Sequence, residues 1–292
     1  MRTVGVVERA KRSWAPEARC LNGLPKVLAR AGELEVRLAT TRREIRRAQA
    51  LRYQVFFEEG GALADPTARL IRRDVCRFDK VADHLIVVDN AVKRTDRSPT
   101  VVGAYRLLRQ EVAETNFGFY SATEFEIGAL VARHPEKRFL ELGRSCVADG
   151  YRGKRTLELL WRGIWAYALH HRIGVMFGCA SFPGAVAQAH AGALDFLRSQ
   201  SLANCAWDVR AAPGRAAAAL DPAAPTSART IARALPPLIK GYWRLGAKFS
   251  CDAVVDEAFG ATDVLVVLPV EEIRDRYLNF FAPAGQEAEL AA

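Results

Sequence analysis

No stretch of the 292-residue chain approaches the ~18–20 consecutive apolar residues that a helix needs to cross a bilayer. Its opening, MRTVGVVERAKRSW, has no apolar run between its charges, so no secretory signal is read there and a cytoplasmic location is expected. The six cysteines (Cys20, Cys76, Cys146, Cys179, Cys205 and Cys251) are widely spaced and form no CxxC pair. That spacing disfavours zinc and dithiol motifs and points to reduced, buried thiols, with no metal site expected. GxGxxG and Walker loops are missing, as are zinc-finger, helix-turn-helix and RRM signatures. No repeat of ~20–50 residues is visible, so solenoid and propeller architectures drop out.

What is present is an ordinary globular composition: 50% hydrophobic and 26% charged residues, enough to bury a sizeable core. The formal net charge of +9 makes the chain a partner for anions, whether nucleic acid, an anionic membrane or an acidic carrier protein. The arginines are dispersed, with one denser group at Arg42, Arg43, Arg46, Arg47 and Arg52, which reads largely as a solvated helix face. Without a continuous stripe of Lys and Arg, a nucleic-acid partner is not expected.

Residues 1–32 read as a basic arm, 33–282 as one domain and 283–292 as a tail. ELEVRLA at 33–39 alternates as a strand does. Thr41 and Glu44 form a capping-box pattern opening a helix that runs to about Phe57. Residues 58–80 read as loop, 84–88 and 101–108 as strands, and 138–147 as a further strand. In that last strand Phe139, Glu141, Gly143 and Ser145 share one face, while Leu140, Leu142 and Arg144 share the other. Helices are expected at 154–172, 185–199, after Pro236-Pro237 and at 271–281, and strands at 174–182 and 263–269. The Ala- and Pro-rich stretch 211–228 reads as a loose insertion. This order predicts an α+β fold, a mixed central β-sheet flanked by helices.

Two local motifs are set aside. His84 and Asp89 match H-x4-D, but an odd spacing of five on a strand turns the two side chains to opposite faces. Gly178-Cys-Ala-Ser181 lacks the G-x-S-x-G spacing of a nucleophile elbow.

A wider constellation remains: Arg52-Tyr-Gln-Val-Phe56 on the first helix, Asp79-Lys-Val-Ala-Asp83 before a strand, Arg106 in a strand, and Glu141-Leu-Gly-Arg144-Ser145 in the next. It resembles the acyl-homoserine-lactone synthases, a branch of the GNAT acyltransferase superfamily. ELGRSCV, LPPLIKGYWRLGA and DVLVVLP resemble the bacterial ornithine Nα-acyltransferases more closely, and the likeness covers roughly residues 34–282. The resemblance implies a GNAT-like fold and transfer of a 3-hydroxyacyl group from acyl carrier protein to the α-amine of L-ornithine. It implies Glu141 and Arg144 as catalytic residues, and Arg52, Phe56, Asp79, Asp83, Arg106 and Ser145 as substrate-binding ones.

One departure from the GNAT pattern stands out. The turn Gly150-Tyr-Arg-Gly-Lys-Arg155 keeps Arg152 and Gly153 but lacks the final small residue of the usual coenzyme A loop. Arg152, Gly153, Lys154 and Arg155, opening a helix, still suit a phosphate. That phosphate is expected to be the carrier's phosphopantetheine, with no bound cofactor. Arginines 42–47 and this turn could meet the acidic carrier, a contact that salt would weaken.

Within that reading, Glu141 either takes the proton of the amine or only pairs with Arg144 and positions the strand. Arg106 or Arg144 either binds the substrate carboxylate or forms a structural ion pair with Asp79 or Asp83. Those aspartates either hold ornithine's side-chain ammonium or serve the arginines. Backbone N–H groups at a bulge near Gly143 would hold the oxyanion, and Cys146, among apolar neighbours, reads as core. Phe117, Phe119, Phe125, Trp161 and Trp165 are candidates for an acyl slot, or plain core. An amine other than ornithine, and a non-catalytic protein that binds a carrier or a membrane surface, are the competing readings. The basic arm would serve peripheral contact with an anionic membrane.

Overall fold

Two short segments start the sheet: β1, Ala29–Ala31, and β2, Leu34–Leu38, paired through the turn at Gly32. The computed structural model describes residues 21, 23–93, 99–201, 205–221 and 227–273. The basic arm therefore lies outside the described residues up to residue 20, and its last residues enter the sheet as β1 rather than remaining an arm. The tail at 283–292 also lies outside them.

Thr41 accepts from the Glu44 N–H, and Glu44 accepts from the Thr41 N–H, so the capping box opens α1, Arg42–Tyr53. A wider π-helical turn, Gln54–Glu59, carries the chain on to Gly60. Inside the stretch expected to be loop, Asp65 caps and Pro66 starts α2, Pro66–Ile71. Two long strands follow, β3, Asp83–Lys93, and β4, Pro99–Arg109. Two short helices, α3, Gln110–Glu114, and α4, Ile127–Arg133, precede β5, Phe139–Val147. Helix α5, Lys154–His170, crosses over to β6, Val175–Pro183.

Beyond β6 come α6, Ala191–Ser201, α7, Ala228–Ala234, and α8, Pro237–Leu245, which starts at Pro237 as expected. Strands β7, Lys248–Phe249, β8, Val254–Asp256, and β9, Ala261–Pro269, end the described chain, apart from a 3₁₀ turn at Val270–Glu272. The rest of the helix expected at 271–281 lies outside the described residues. The Ala-rich insertion is less loose than its composition suggests. Ala211 bridges to Phe125 and Ala216 to Val254.

The described strands form one mixed sheet in the order β1-β2-β3-β4-β5-β6-β9-β7, with β8 also on β9. Every pair is antiparallel except β5 and β6, which the α5 crossover makes parallel. The period of two splits β3 between layers. Leu85 and Val87 pack with Leu160 and Ile164 of α5, while Ile86 and Val88 pack with Ile45, Ala48 and Leu51 of α1. The sheet is thus covered on both faces, which is the α+β arrangement expected.

The parallel pairing of β5 with β6 stops at Glu141 and Phe177. Strand β6 then follows β9 over its whole length, from Val175–Pro269 to Pro183–Ala261. Strand β5 stays with β4 but bulges: Arg106 faces Gly143 and Ala104 faces Cys146, so three steps on β5 oppose two on β4. The extra residue bends β5 away from β6. Gly178 marks the last close approach, where a Cβ would sit 2.1 Å from the Leu142 carbonyl oxygen. Past it the sheet opens into a cleft. Among the described residues no helix is long and apolar enough to cross a membrane.

Candidate active site

Helix α1 turns Gln49 and Arg52 inward because they share the face of Ile45 and Ala48. The Arg52 guanidinium is 1% exposed. Its Nε meets Asp74 Oδ2 at 2.7 Å and its Nη2 meets the Asp74 carbonyl at 2.6 Å. Its Nη1 and Nη2 take the two oxygens of Asp79 at 2.8 and 2.9 Å. Gln49 and the Cys76 N–H also donate to Asp79, at 3.0 and 3.1 Å. Burial opposes the Asp79 charge, but Arg52 outweighs it and holds the carboxyl well below the usual carboxylate range.

Arg144 Nε lies 3.2 Å from the Asp74 carboxylate as an ion pair without hydrogen-bond geometry, so one carboxylate sits between the two arginines. Arg144 occupies the bulge with φ +53°, a left-handed conformation rare for a side chain of this size. The bulge overrides the alternation expected for the strand, and Gly143, Arg144 and Ser145 all line the cleft. Arg106, from β4, contacts Cys76 Sγ at 2.8 Å through Nη1. Its Nη2 is buried with no hydrogen-bond partner, below Gly143. The Tyr120 ring lies between the two guanidiniums, 5.2 Å from Arg106 and 4.7 Å from Arg144, and Phe259 takes the other contact of Arg144 at 4.7 Å.

Glu141, the last residue of β5 paired with β6, is 2% exposed. It accepts from the Tyr120 N–H at 3.0 Å, and from the Ser121 N–H and hydroxyl at 2.7 Å each. It pairs with this loop and not with Arg144, the partner the sequence suggested. Between these groups lies a cavity of about 390 Å³. Glu141, Arg106, Arg144 and Ser145 line it, and Phe56 joins them from the π-helical turn. The opposite wall comes from Phe182 on β6, Leu238 and Tyr242 on α8, and the β8–β9 hairpin with Asp256, Phe259 and Asp263. Ser145 hydrogen-bonds with Tyr105, which also meets Tyr242.

The other residues singled out from the sequence lie elsewhere. Arg52 and Asp79 sit behind the cavity wall as a buried ion pair, and Arg106 Nη1 lies 3.8 Å from the same carboxylate, the structural pairing that the sequence offered as one alternative for Arg106. Asp83 faces away from it, accepting from the Tyr167 hydroxyl at 2.6 Å and lying 3.9 Å from Arg109. Of the aromatics expected in an acyl slot, Phe119, Phe125 and Trp165 are core, and Phe117 is 42% exposed. The aromatic walls are instead Phe56, singled out from the sequence as a substrate-binding residue, and Phe182 and Phe259, which chain position did not signal.

At the start of α5, Gly153 is the N-cap and no side chain caps the helix, so its first N–H groups are open to an anion. Arg152 pairs with Glu59 and donates from Nε to the Val147 carbonyl at 3.1 Å. Lys154 pairs with Glu158 at 3.3 Å, and Arg155 is exposed. Cys146 is buried, and burial pushes its thiol up to about 12, as a core residue and not a nucleophile requires. His84 and Asp89 have separate partners, the Asp79 carbonyl at 3.2 Å and the Tyr151 hydroxyl at 2.8 Å, in keeping with the strand reading of that motif.

One group escaped the sequence entirely. Glu124, Cys179 and Asp263 bring a carboxylate oxygen or sulfur each to within 4.8 Å of one another. Cys179 Sγ lies 3.3 Å from Glu124 Oε2. Burial, the largest cause for both, pushes Glu124 and Asp263 above the usual carboxylate range; repulsion from Asp263 adds to it at Glu124, and repulsion from Asp256 adds to it at Asp263 against a lowering hydrogen bond with Ser181. Cys179 and Asp263 are 55 and 139 positions from Glu124 along the chain; β6–β9 pairing brings the first two together, and the turn after Tyr120 carries Glu124 to them.

Residues 51–162, from the end of α1 into α5, match the acetyltransferase (GNAT) domain. The chain is 53% identical over 264 residues to the L-ornithine N(alpha)-acyltransferase of Agrobacterium fabrum (strain C58), covering 90% of this chain and 89% of that one. It is 50% identical over 268 residues to the protein of the same name from Brucella abortus (strain 2308), covering 91% and 94%. A solved structure of the CoA-dependent acyl-homoserine lactone synthase BjaI is 14% identical, with a TM-score of 0.43 over 83% of this chain and 84% of that one. With a GNAT fold and half of its residues shared along nearly its full length with these relatives, the chain belongs to the L-ornithine Nα-acyltransferase family.

Proposed function

We propose that the protein is an N-acyltransferase that moves a 3-hydroxyacyl group from the phosphopantetheine thioester of acyl carrier protein to the α-amine of L-ornithine, forming lyso-ornithine lipid by direct aminolysis. The observation that carries this reading is the cavity at the β5–β6 opening, where guanidiniums, carboxylates and an apolar wall meet. Family membership supports ornithine as the acceptor.

An α-amine is mostly protonated at neutral pH, since its pKa is about 8. Glu141 takes its proton, directly or through one water, with the acceptor capacity that its three donors leave. The neutral nitrogen attacks the thioester carbonyl carbon. The carbonyl oxygen becomes an oxyanion held by backbone N–H groups at the bulge around Gly143–Ser145. The C–S bond then breaks, and the carrier thiol leaves with a proton. Arg106 and Arg144 hold the acceptor's carboxylate, which a guanidinium binds through parallel hydrogen bonds.

Val55, Phe56, Phe182, Leu238 and Phe259 give the acyl chain an apolar wall. The open α5 N-terminus, with Arg152, Gly153, Lys154 and Arg155, takes the carrier's phosphate. The carrier is a substrate, so no resident cofactor is needed. The buried Cys146 leaves covalent transfer through that thiol without support. Because the product is an amphiphile, brief contact of the basic surface with an anionic membrane would help to release it.

The test is to incubate purified protein with 3-hydroxyacyl carrier protein and L-ornithine. Free carrier thiol and acylated amino acid are then followed by mass spectrometry. Product with ornithine and not with lysine or methionine supports the reading. Thiol release with another amine keeps the transferase and changes the acceptor. No release from a folded protein with any donor or amine removes catalysis altogether.

A further inference from the structure

The cavity is lined by charges of both signs. Arg106 and Arg144 line it, as do Asp256 and Asp263, with Glu124 beside Asp263. Asp263 sits on β9 directly opposite Ser181 of β6 and is 5% exposed. Its Oδ1 is buried with no hydrogen-bond partner, while the carboxyl as a whole has Ser181 and Glu124 as hydrogen-bonding neighbours. Arg106 Nη2, from another lining residue of the same cavity, is buried and unpartnered too. A buried polar atom without a partner is costly, so a pair of such atoms facing one cavity marks what its contents must supply. Oδ1 calls for a donor, and Nη2 for an acceptor.

Arg144 and Arg215 act on Asp263 and Glu124 from a distance, but among the described residues no salt bridge reaches either carboxyl. Asp256 Oδ1 accepts from the Ala258 and Phe259 N–H groups at 2.9 and 3.0 Å, so Asp256 adds charge there with one oxygen already engaged. Glu124 has the Cys179 thiol at 3.3 Å, a weak donor. Two carboxyl groups so close cannot both stay ionised without a cation between or beside them. An ammonium fits: it is compact, carries three donors, and offsets both charges. Asp79 and Asp83, the aspartates that the sequence offered for this role, are already committed to Arg52 and to Tyr167 with Arg109.

We propose that Asp263, backed by Glu124 and Asp256, binds the side-chain ammonium of the acceptor amino acid and thereby selects a diamino acid over its neutral isosteres. This rests on the acyl transfer to an amino acid proposed above. It assigns the specificity of that site to three residues outside the Glu-x-x-Arg strand.

The experiment compares equilibrium binding of L-ornithine and L-norvaline, which has the same carbon skeleton without the terminal amine, to the full chain. Wild type, Asp263→Asn and Glu124→Gln are measured by calorimetry, with folding checked by circular dichroism. Wild type is expected to prefer ornithine on the order of 10- to 100-fold, the effect of one charge-assisted hydrogen bond. Asp263→Asn should lose most of that preference by weakening ornithine alone, and Glu124→Gln part of it.

If Asp263→Asn keeps the preference, or weakens both ligands equally, the proposal is overturned, as it is if wild type binds the two alike. Should Asp263→Asn fail to fold, Glu124→Gln decides by the same comparison. Acyl transfer, assayed separately, distinguishes the two readings. Selective ornithine binding without transfer from any donor leaves the ammonium site standing and removes the transferase. Transfer to ornithine with an unselective or Asp263-independent site does the reverse.

Discussion

Arg52 and Asp79 meet through two parallel hydrogen bonds, 2.8 and 2.9 Å long, at a place where both side chains are almost fully buried. Asp74 closes the other side of the same guanidinium. Replacing Arg52 with Ala strands two buried carboxylates, and losing one partner of such a pair costs about 3–5 kcal/mol. Urea unfolding of Arg52→Ala should show a drop of that size, together with lost activity, because Asp74 also positions Arg144. A variant of wild-type stability would show that the pair is not what holds α1 to the loop at 74–80.

The same pair sets an acid limit. Asp79 is held ionised well below its unfolded range, so its contribution is present at neutral pH and is lost as pH falls. The unfolded carboxyl titrates at about 3.9, so the loss starts below about pH 4 and deepens as the folded group itself protonates. Thermal unfolding from pH 7 to pH 3 should show the midpoint falling at the acid end. In Asp79→Asn that slope should flatten. An unchanged slope would assign the acid sensitivity to other carboxyls.

Glu141 accepts three hydrogen bonds from Tyr120 and Ser121 and still lines the cavity. Glu141→Gln removes a proton acceptor and turns one oxygen into a donor that faces donors. Steady-state kinetics should show kcat lower by roughly 100-fold or more. Ser121→Ala, which keeps the carboxylate and removes one donor, should cost less. If Glu141→Gln turns over at the rate of Ser121→Ala, the residue only anchors the 120–121 loop.

Arg144 combines a left-handed backbone with a guanidinium that lines the cavity. Arg144→Ala and Arg144→Gly lose the same cation, and both should raise KM for the amino acid. Only glycine relieves the backbone, by about 1 kcal/mol. Arg144→Gly should therefore unfold at the higher temperature of the two while remaining as impaired. Equal melting temperatures would mean that the bulge relaxes when the arginine is gone.

Cys146 packs against Ile45, Ala48, Ile86 and Ala104, and its thiol is held protonated by burial. Cys146→Ala should keep near-normal kcat while losing about 1 kcal/mol of stability, the scale of a small buried group removed. Intact-mass measurement during turnover should find no acylated protein. An acyl adduct on wild type that disappears in Cys146→Ala would replace direct aminolysis with a covalent route.

Much of the scaffold was legible along the chain. The capping box at Thr41 and Glu44, the stripe of α5 and the apolar strands β6 and β9 carry local signals strong enough to place them within a few residues. Helices α2, α3 and α4, of five to seven residues, were missed because they are too short to show a period and are held by tertiary packing. The motif residues Glu141, Arg144, Arg106 and Ser145 do meet at one cavity. Asp74, Tyr120, Phe259 and the Glu124–Cys179–Asp263 group were not legible, since each is an ordinary residue until strand pairing brings distant segments together.

The sequence by itself determined the mixed sheet and the strand with its Glu-x-x-Arg motif, because periodicity and motif spacing are properties of neighbours on the chain, and it carried the family through its likeness to known relatives. Only the tertiary structure decided which charged groups are structural and which are available. Arg52 and Asp79 are paired with each other and Asp83 with Tyr167, while the bulge in β5 and the divergence of β6 leave Asp263, and Arg106 despite its 3.8 Å contact with Asp79, lining one cavity.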